Sequence, residues 1–175
     1  MTVNMNARLD EQVLPVLAAI GLALTSTLGD CVYVSLKNFR KCQVIIGIAD
    51  GTTVSAGATV TLLQAQAVAG TNAKPLVFTR MLANVDHAAA RTMVETAVVS
   101  STFTTQTVNS KDSLYIIDID AEMLDAAGGF DCFRVDCTGH AAAANTMRGS
   151  FVLYNLWGAR YNASPLTGST AAVLD

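Results

Sequence analysis

The segment Phe39-Arg40-Lys41-Cys42-Gln43-Val44-Ile45-Ile46-Gly47-Ile48-Ala49-Asp50-Gly51 constrains this chain more than any other. Basic residues run into an apolar, β-branched stretch and then into Asp-Gly. β-Branched side chains crowd a helix but pack well on a pleated surface, so the stretch predicts a buried strand. Asp-Gly predicts a tight turn after it. Residues 57–67, Gly57-Ala58-Thr59-Val60-Thr61-Leu62-Leu63-Gln64-Ala65-Gln66-Ala67, follow that turn and are expected to return as the hairpin partner. Within them Val60 and Leu62 share one face, whereas Leu63, Ala65 and Ala67 share the other. Such a change of phase predicts a β-bulge near Leu62-Leu63, or a strand buried on both faces.

Further strands are read at residues 31–36, 76–81, 92–105, 113–120, 130–137 and 149–157. Residues 121–127 suit one or two helical turns, ended by Gly128-Gly129. Residues 84–91 stay open between a helical turn and a loop. About eight strands with one or two short helical segments predict a mainly β fold, a two-sheet sandwich or jelly roll of antiparallel strands. At 175 residues the chain suits one domain with a real core. Its expected organisation is an N-terminal arm or short helix (residues 1–30), a β-sandwich domain (31–161) and an extended C-terminal tail (162–175).

The two ends are the least regular parts. Residues 13–24 are nearly all apolar, and residues 9–24 could form a short helix. Pro15 suits a first helical turn, so a short helix would begin near Leu14, with Gly21 weakening it. An extended arm laid over a neighbour is the other reading. Residues 13–24 are shorter than the roughly 20 needed to span a bilayer, and Arg8 is answered by Asp10 and Glu11, so neither a membrane span nor a signal peptide is expected. Beyond Tyr161 the chain is small and polar, with Pro165. Both ends are expected to serve partner binding more than the fold.

Charge narrows the function classes. The net charge is −3 and no dense Lys/Arg stripe occurs, so nucleic acid is not an expected partner. The one local basic cluster, Lys37 with Arg40 and Lys41, reads as a solvated strand edge. Charged residues make up 14% of the chain and apolar ones 51%. Charge is thus well below the usual level, and two accounts stay open. Part of the surface is covered by other subunits, or a large antiparallel core is built from small residues.

Candidate chemistry is sparse. Asp118 and Asp120 stand two apart on one strand, so their carboxylates share a face, as an acid/base pair or metal site would require. The plainer reading is a polar strand end with Asp120 capping the turn that follows. Asp131 and Asp136 have Arg134 between them. His87 and His140 fall in loops without the spacing of a zinc site. Cys31, Cys42, Cys132 and Cys137 lack Cys-x-x-Cys spacing and are expected as four free thiols. Neither a Gly-x-Ser-x-Gly elbow nor a phosphate-binding loop is present. Trp157 reads either as a partner anchor or as a sheet-end aromatic. No catalytic, cofactor-binding or metal-binding residue is assigned, and neither an enzyme nor a small-molecule substrate is expected.

Certain stretches resemble a known family. They are Leu36-Lys37-Asn38, Val44-Ile45-Ile46-Gly47, Gly57-Ala58-Thr59-Val60-Thr61-Leu62-Leu63-Gln64-Ala65 and Val68-Ala69-Gly70-Thr71-Asn72-Ala73-Lys74. Later come Ile117-Asp118-Ile119-Asp120-Ala121-Glu122-Met123-Leu124-Asp125 and Gly129-Phe130-Asp131. Together, over about residues 31–160, the chain resembles the cement or decoration proteins on the capsids of tailed bacteriophages. That resemblance implies a sandwich or jelly-roll subunit that forms a dimer or trimer and clamps the major capsid protein. It implies a place on the virion surface after synthesis in the host cytoplasm, and no catalytic residues. A head–tail connector or tail protein is the alternative within the structural class. A carbohydrate-binding host-recognition module is the alternative outside it, although one Trp and four Tyr supply little for stacking on sugars.

Overall fold

The computed structural model describes residues 13–20, 31–49, 57–86, 89–105, 111–138 and 149–158. The described residues form eleven strands: β1 (Val13–Ile20), β2 (Val34–Ser35), β3 (Lys41–Ala49), β4 (Thr59–Ala65), β5 (Lys74–Pro75), β6 (Phe78–Asn84), β7 (Val94–Ser100), β8 (Thr102–Thr104), β9 (Ser113–Asp120), β10 (Cys132–Thr138) and β11 (Gly149–Trp157). They build the expected two-sheet antiparallel sandwich. A six-stranded sheet runs β1-β11-β3-β9-β6-β7, and a second runs β2-β10-β4-β5, with β8 also on β4.

Alternation decides what lies between the sheets. Val44, Ile46 and Ile48 of β3, Tyr115, Ile117 and Ile119 of β9, and Val152, Tyr154 and Leu156 of β11 face inward and are buried. From the other sheet come Val60 and Leu62 of β4 and Phe133, Val135 and Cys137 of β10. Aromatic rings join the layers. Phe133 meets Tyr154 at a centroid distance of 5.2 Å, and Phe103 meets Tyr115 at 5.2 Å and Phe78 at 6.1 Å.

Several sequence expectations are corrected. The hairpin of residues 39–51 with 57–67 does not form: β3 pairs with β9 and β11, while β4 pairs with β10, β5 and β8 in the opposite sheet. In-sheet neighbours stand side by side and cover each other little, whereas facing sheets bury both apolar faces. Asp50-Gly51 lies outside the described residues. No bulge interrupts β4, whose register with β10 runs unbroken from Thr59↔Thr138 to Ala65↔Cys132. The other expectation holds toward the end of β4, which is buried on both faces: Leu62 and Gln64 inward, Ala65 outward against Tyr33 and Cys132, with Leu63 half-buried between Arg134 and Pro75.

The single strand expected at residues 92–105 divides at Ser101, so that β7 joins one sheet and β8 the other. Likewise the chain passes between sheets at Leu76 and Val77, from β5 to β6. The short helix expected within residues 9–24 is instead the edge strand β1. Antiparallel pairing with β11 satisfies its backbone on one side, and Val16 and Ala18 pack against the core. This part of the expected N-terminal arm therefore belongs to the sandwich itself. The tail at residues 162–175 lies outside the described residues.

The helical segments take the form of two single 3-10 turns, Ala121–Met123 and Ala126–Gly128. Gly129 ends the second at φ 80°, a left-handed conformation that glycine adopts without steric cost. The Asp125 side chain accepts the Gly128 N–H within this turn.

Candidate interaction face

The two outward faces of the sandwich differ in kind. On the second sheet, β4 and β10 present Thr59, Thr61, Leu63, Arg134 and Asp136, and β8 adds Thr102 and Thr104. Arg134 reaches Asp136 at 3.0 Å and lies 4.7 Å over the Tyr33 ring. That face is polar over the half that β8 borders, and toward its Ala65 and Cys132 end it carries a small buried apolar cluster with Tyr33, flanked by Val68.

The outward face of the six-stranded sheet is apolar in its middle. Strand register sets Leu17, Leu153, Ile45, Ile116 and Leu82 side by side across β1, β11, β3, β9 and β6. The next level adds Phe151 and Leu114, with Gly47 between them. A Cβ at Gly47 would stand 2.2 Å from the Phe151 ring, so glycine lets that ring lie flat over β3. Leu17 is 53% exposed and Phe151 38%, while Leu153, Ile45, Ile116, Leu82 and Leu114 are half-buried.

Charges border the apolar level along one side, and Glu95 of β7 closes it at the end beside Leu82. Lys41 meets Asp120 at 3.1 Å. Arg80 lies 3.7 Å from both Asp118 and Glu95, and the Gln43 side-chain amide donates to Asp118 at 3.4 Å. Asp118 and Asp120 thus share a face as their spacing predicts, but each is answered by a cation from a neighbouring strand on an open surface. They form a bordering ion-pair row and not an isolated acidic pair.

The remaining candidates separate. Asp136 pairs with Arg134, while Asp131 accepts the Cys132 thiol at 3.0 Å. All four cysteines are free and buried. Burial pushes the Cys42 and Cys137 thiols far up from the ordinary range, and neighbouring carboxylates add to it. Cys132 is pushed up to about 12, by burial first and then by the hydrogen bond to Asp131. Such thiols stay protonated and unreactive at neutral pH. Trp157 is 43% exposed at the rim of the apolar face, beside Lys41. His87 and His140 lie outside the described residues. Among the described residues, no three potential metal ligands come together, and no helix is long and apolar enough to cross a membrane.

The apolar level was not singled out from the sequence, although it left a signal there. Val44-Ile45-Ile46, Tyr115-Ile116-Ile117 and Phe151-Val152-Leu153-Tyr154 are continuous apolar runs, where a strand solvated on one side would alternate. Comparison of the chain with family models, with curated proteins and with solved structures finds no match.

Proposed function

We propose that this chain is a non-enzymatic virion structural protein of the capsid cement or decoration type, which binds the major capsid protein and stabilises the shell. The carrying observation is the wide outward face of the six-stranded sheet, apolar over much of its middle and bordered by ion pairs, where the other outward face is polar except for a small cluster at Tyr33, Ala65 and Cys132. A sandwich with a wide apolar outward face suits burial between subunits. A protein that binds only the assembled shell stabilises that shell by mass action and needs surface complementarity in place of an active site. The low charge of the chain and its sequence resemblance to capsid cement proteins point the same way.

The carbohydrate-binding alternative finds less support. The two large aromatics on the apolar face, Phe151 and Trp157, are six residues apart on β11, or about 20 Å, too far to stack on one sugar ring. The test is to mix the purified chain with empty phage capsids. Co-sedimentation, and a higher temperature of shell rupture, are the results expected. A chain that stays in the supernatant with every shell state, expanded and unexpanded, would overturn the cement reading.

A further inference from the structure

We infer that the apolar outward face of the six-stranded sheet packs against the same face of a second copy of this chain, about a two-fold axis running along the sheet between β3 and β9. The inference does not rest on a virion role: the dimer buries this face, and contact with a shell then falls to the surfaces that the dimer leaves outside.

Strand order supplies the first argument. β3 and β9 are the middle pair of the six strands, so a two-fold axis parallel to them lays β3 over β9 of the second copy and β11 over β6 of the second copy. Register supplies the second. Lys41 is level with Asp120, and Ile45 with Ile116. The axis therefore sets Lys41 opposite Asp120 of the second copy, and Ile45 opposite Ile116 of the second copy. Leu153 is level with Ile45, and Leu82 with Ile116, so these two leucines also come face to face. Over the four central strands a cation meets a carboxylate at Lys41 and apolar groups meet apolar groups at Ile45, Ile116, Leu153 and Leu82, as a self-matching two-fold interface requires; at the rim, where β1 lies over β7, Leu17 comes opposite Glu95. Turning one copy end for end would instead set the ion-pair border over the Phe151 end.

Area supplies the third argument. Six strands about 4.8 Å apart, with a rise of about 3.4 Å per residue over roughly eight residues, give a face of about 650 Å². Two such faces bury about 1,300 Å², within the range of stable interfaces that begins near roughly 1,200 Å². Facing sheets pack about 10 Å apart at a small angle, which suits the side-chain lengths present.

Sedimentation equilibrium of the full chain between micromolar and 100 micromolar concentrations tests this. The wild type is expected to be a dimer. Leu153→Glu and Ile116→Glu should each raise the dimer Kd at least about a hundredfold, because each buries an unpaired charge. Thr61→Glu, on the opposite outward face, should leave it within about threefold. If a glutamate variant fails to unfold cooperatively, Leu153→Thr and Ile116→Thr keep strand propensity and should still raise the Kd about tenfold. A wild type that stays monomeric throughout, or forms trimers, overturns the inference. So does a dimer that the face variants leave intact while Thr61→Glu dissolves it.

Discussion

The phenolic oxygen of Tyr154 accepts the backbone N–H of Val135 at 2.9 Å, across the middle of the sandwich. Tyr154 belongs to β11 of the six-stranded sheet and Val135 to β10 of the other. On one flank of β10, β2 covers only Cys132 and Phe133, so the backbone beyond them needs another partner. The tyrosine supplies it while its ring packs on Phe133. Tyr154→Phe keeps the packing and leaves a buried N–H unpaired, at a cost of about 1–2 kcal/mol. Urea unfolding measures it, and an unchanged midpoint would mean that this hydrogen bond contributes nothing to stability.

Alkaline pH should destabilise the domain. Burial raises the Tyr154 hydroxyl and the Cys42 and Cys137 thiols above their ordinary values of 10.0 and 9.0. In the unfolded chain these groups lose their protons near those values, while the folded chain retains them. Their contribution is whole below pH 9 and is lost as pH rises past it. Chemical denaturation between neutral pH and about 11 should show this decline, and Cys42→Ala should make it shallower. A flat profile across that range would contradict it.

Leu62 and Leu63 are neighbours with opposite fates. Leu62 is fully buried between the sheets, whereas Leu63 lies on the outward face. Leu62→Ala should cost about 2–4 kcal/mol and Leu63→Ala below about 1 kcal/mol. Equal losses would mean that Leu63 is buried as deeply as Leu62.

Lys74 ties a turn to a strand. Its ammonium reaches the Asp125 carboxylate and lies 3.9 Å over the Phe130 ring. The Asp125 carboxyl is held below the ordinary carboxylate range, first by Lys74 and then by the Gly128 N–H. Lys74→Met keeps the aliphatic stem and removes the charge. The Asp125 pKa should then rise, read by NMR titration, and amide exchange over residues 121–130 should quicken. Asp125 contributes stability above its unfolded pKa that is lost as pH falls through its folded one, and the variant should lose less there.

Removal of residues 1–20 deletes β1 and turns β11 into an edge. Because Val16 and Ala18 pack against the core, the truncated chain should lose about 2–4 kcal/mol of unfolding free energy. An unchanged thermal midpoint would return this segment to the role of a binding arm.

Much of the architecture was legible in the sequence. The β class followed from β-branched runs punctuated by Gly, Asn and Asp, and the strands at residues 41–49, 113–120 and 149–157 were placed nearly to the residue. The free thiols and the turns ended by Gly129 were legible for the same reason: each depends on local spacing or local backbone freedom. Strand partnership was not. Alternation says which side chains of β3 and β4 face a core, but it does not say whether the two strands lie side by side or face to face. Only packing sets them in opposite sheets, since that arrangement buries both apolar faces. The division of residues 92–105 at Ser101 is of the same kind, because no side chain there marks the change of sheet. Val13–Ile20 is apolar at nearly every position, so it had no period to distinguish helix from strand until β11 supplied a partner. The outward level through Leu17, Leu153, Ile45, Ile116 and Leu82 exists only in the register of five strands distant in sequence. Local pattern determines what each strand must hide, and the pairing of strands alone determines which surfaces remain apolar when the hiding is done.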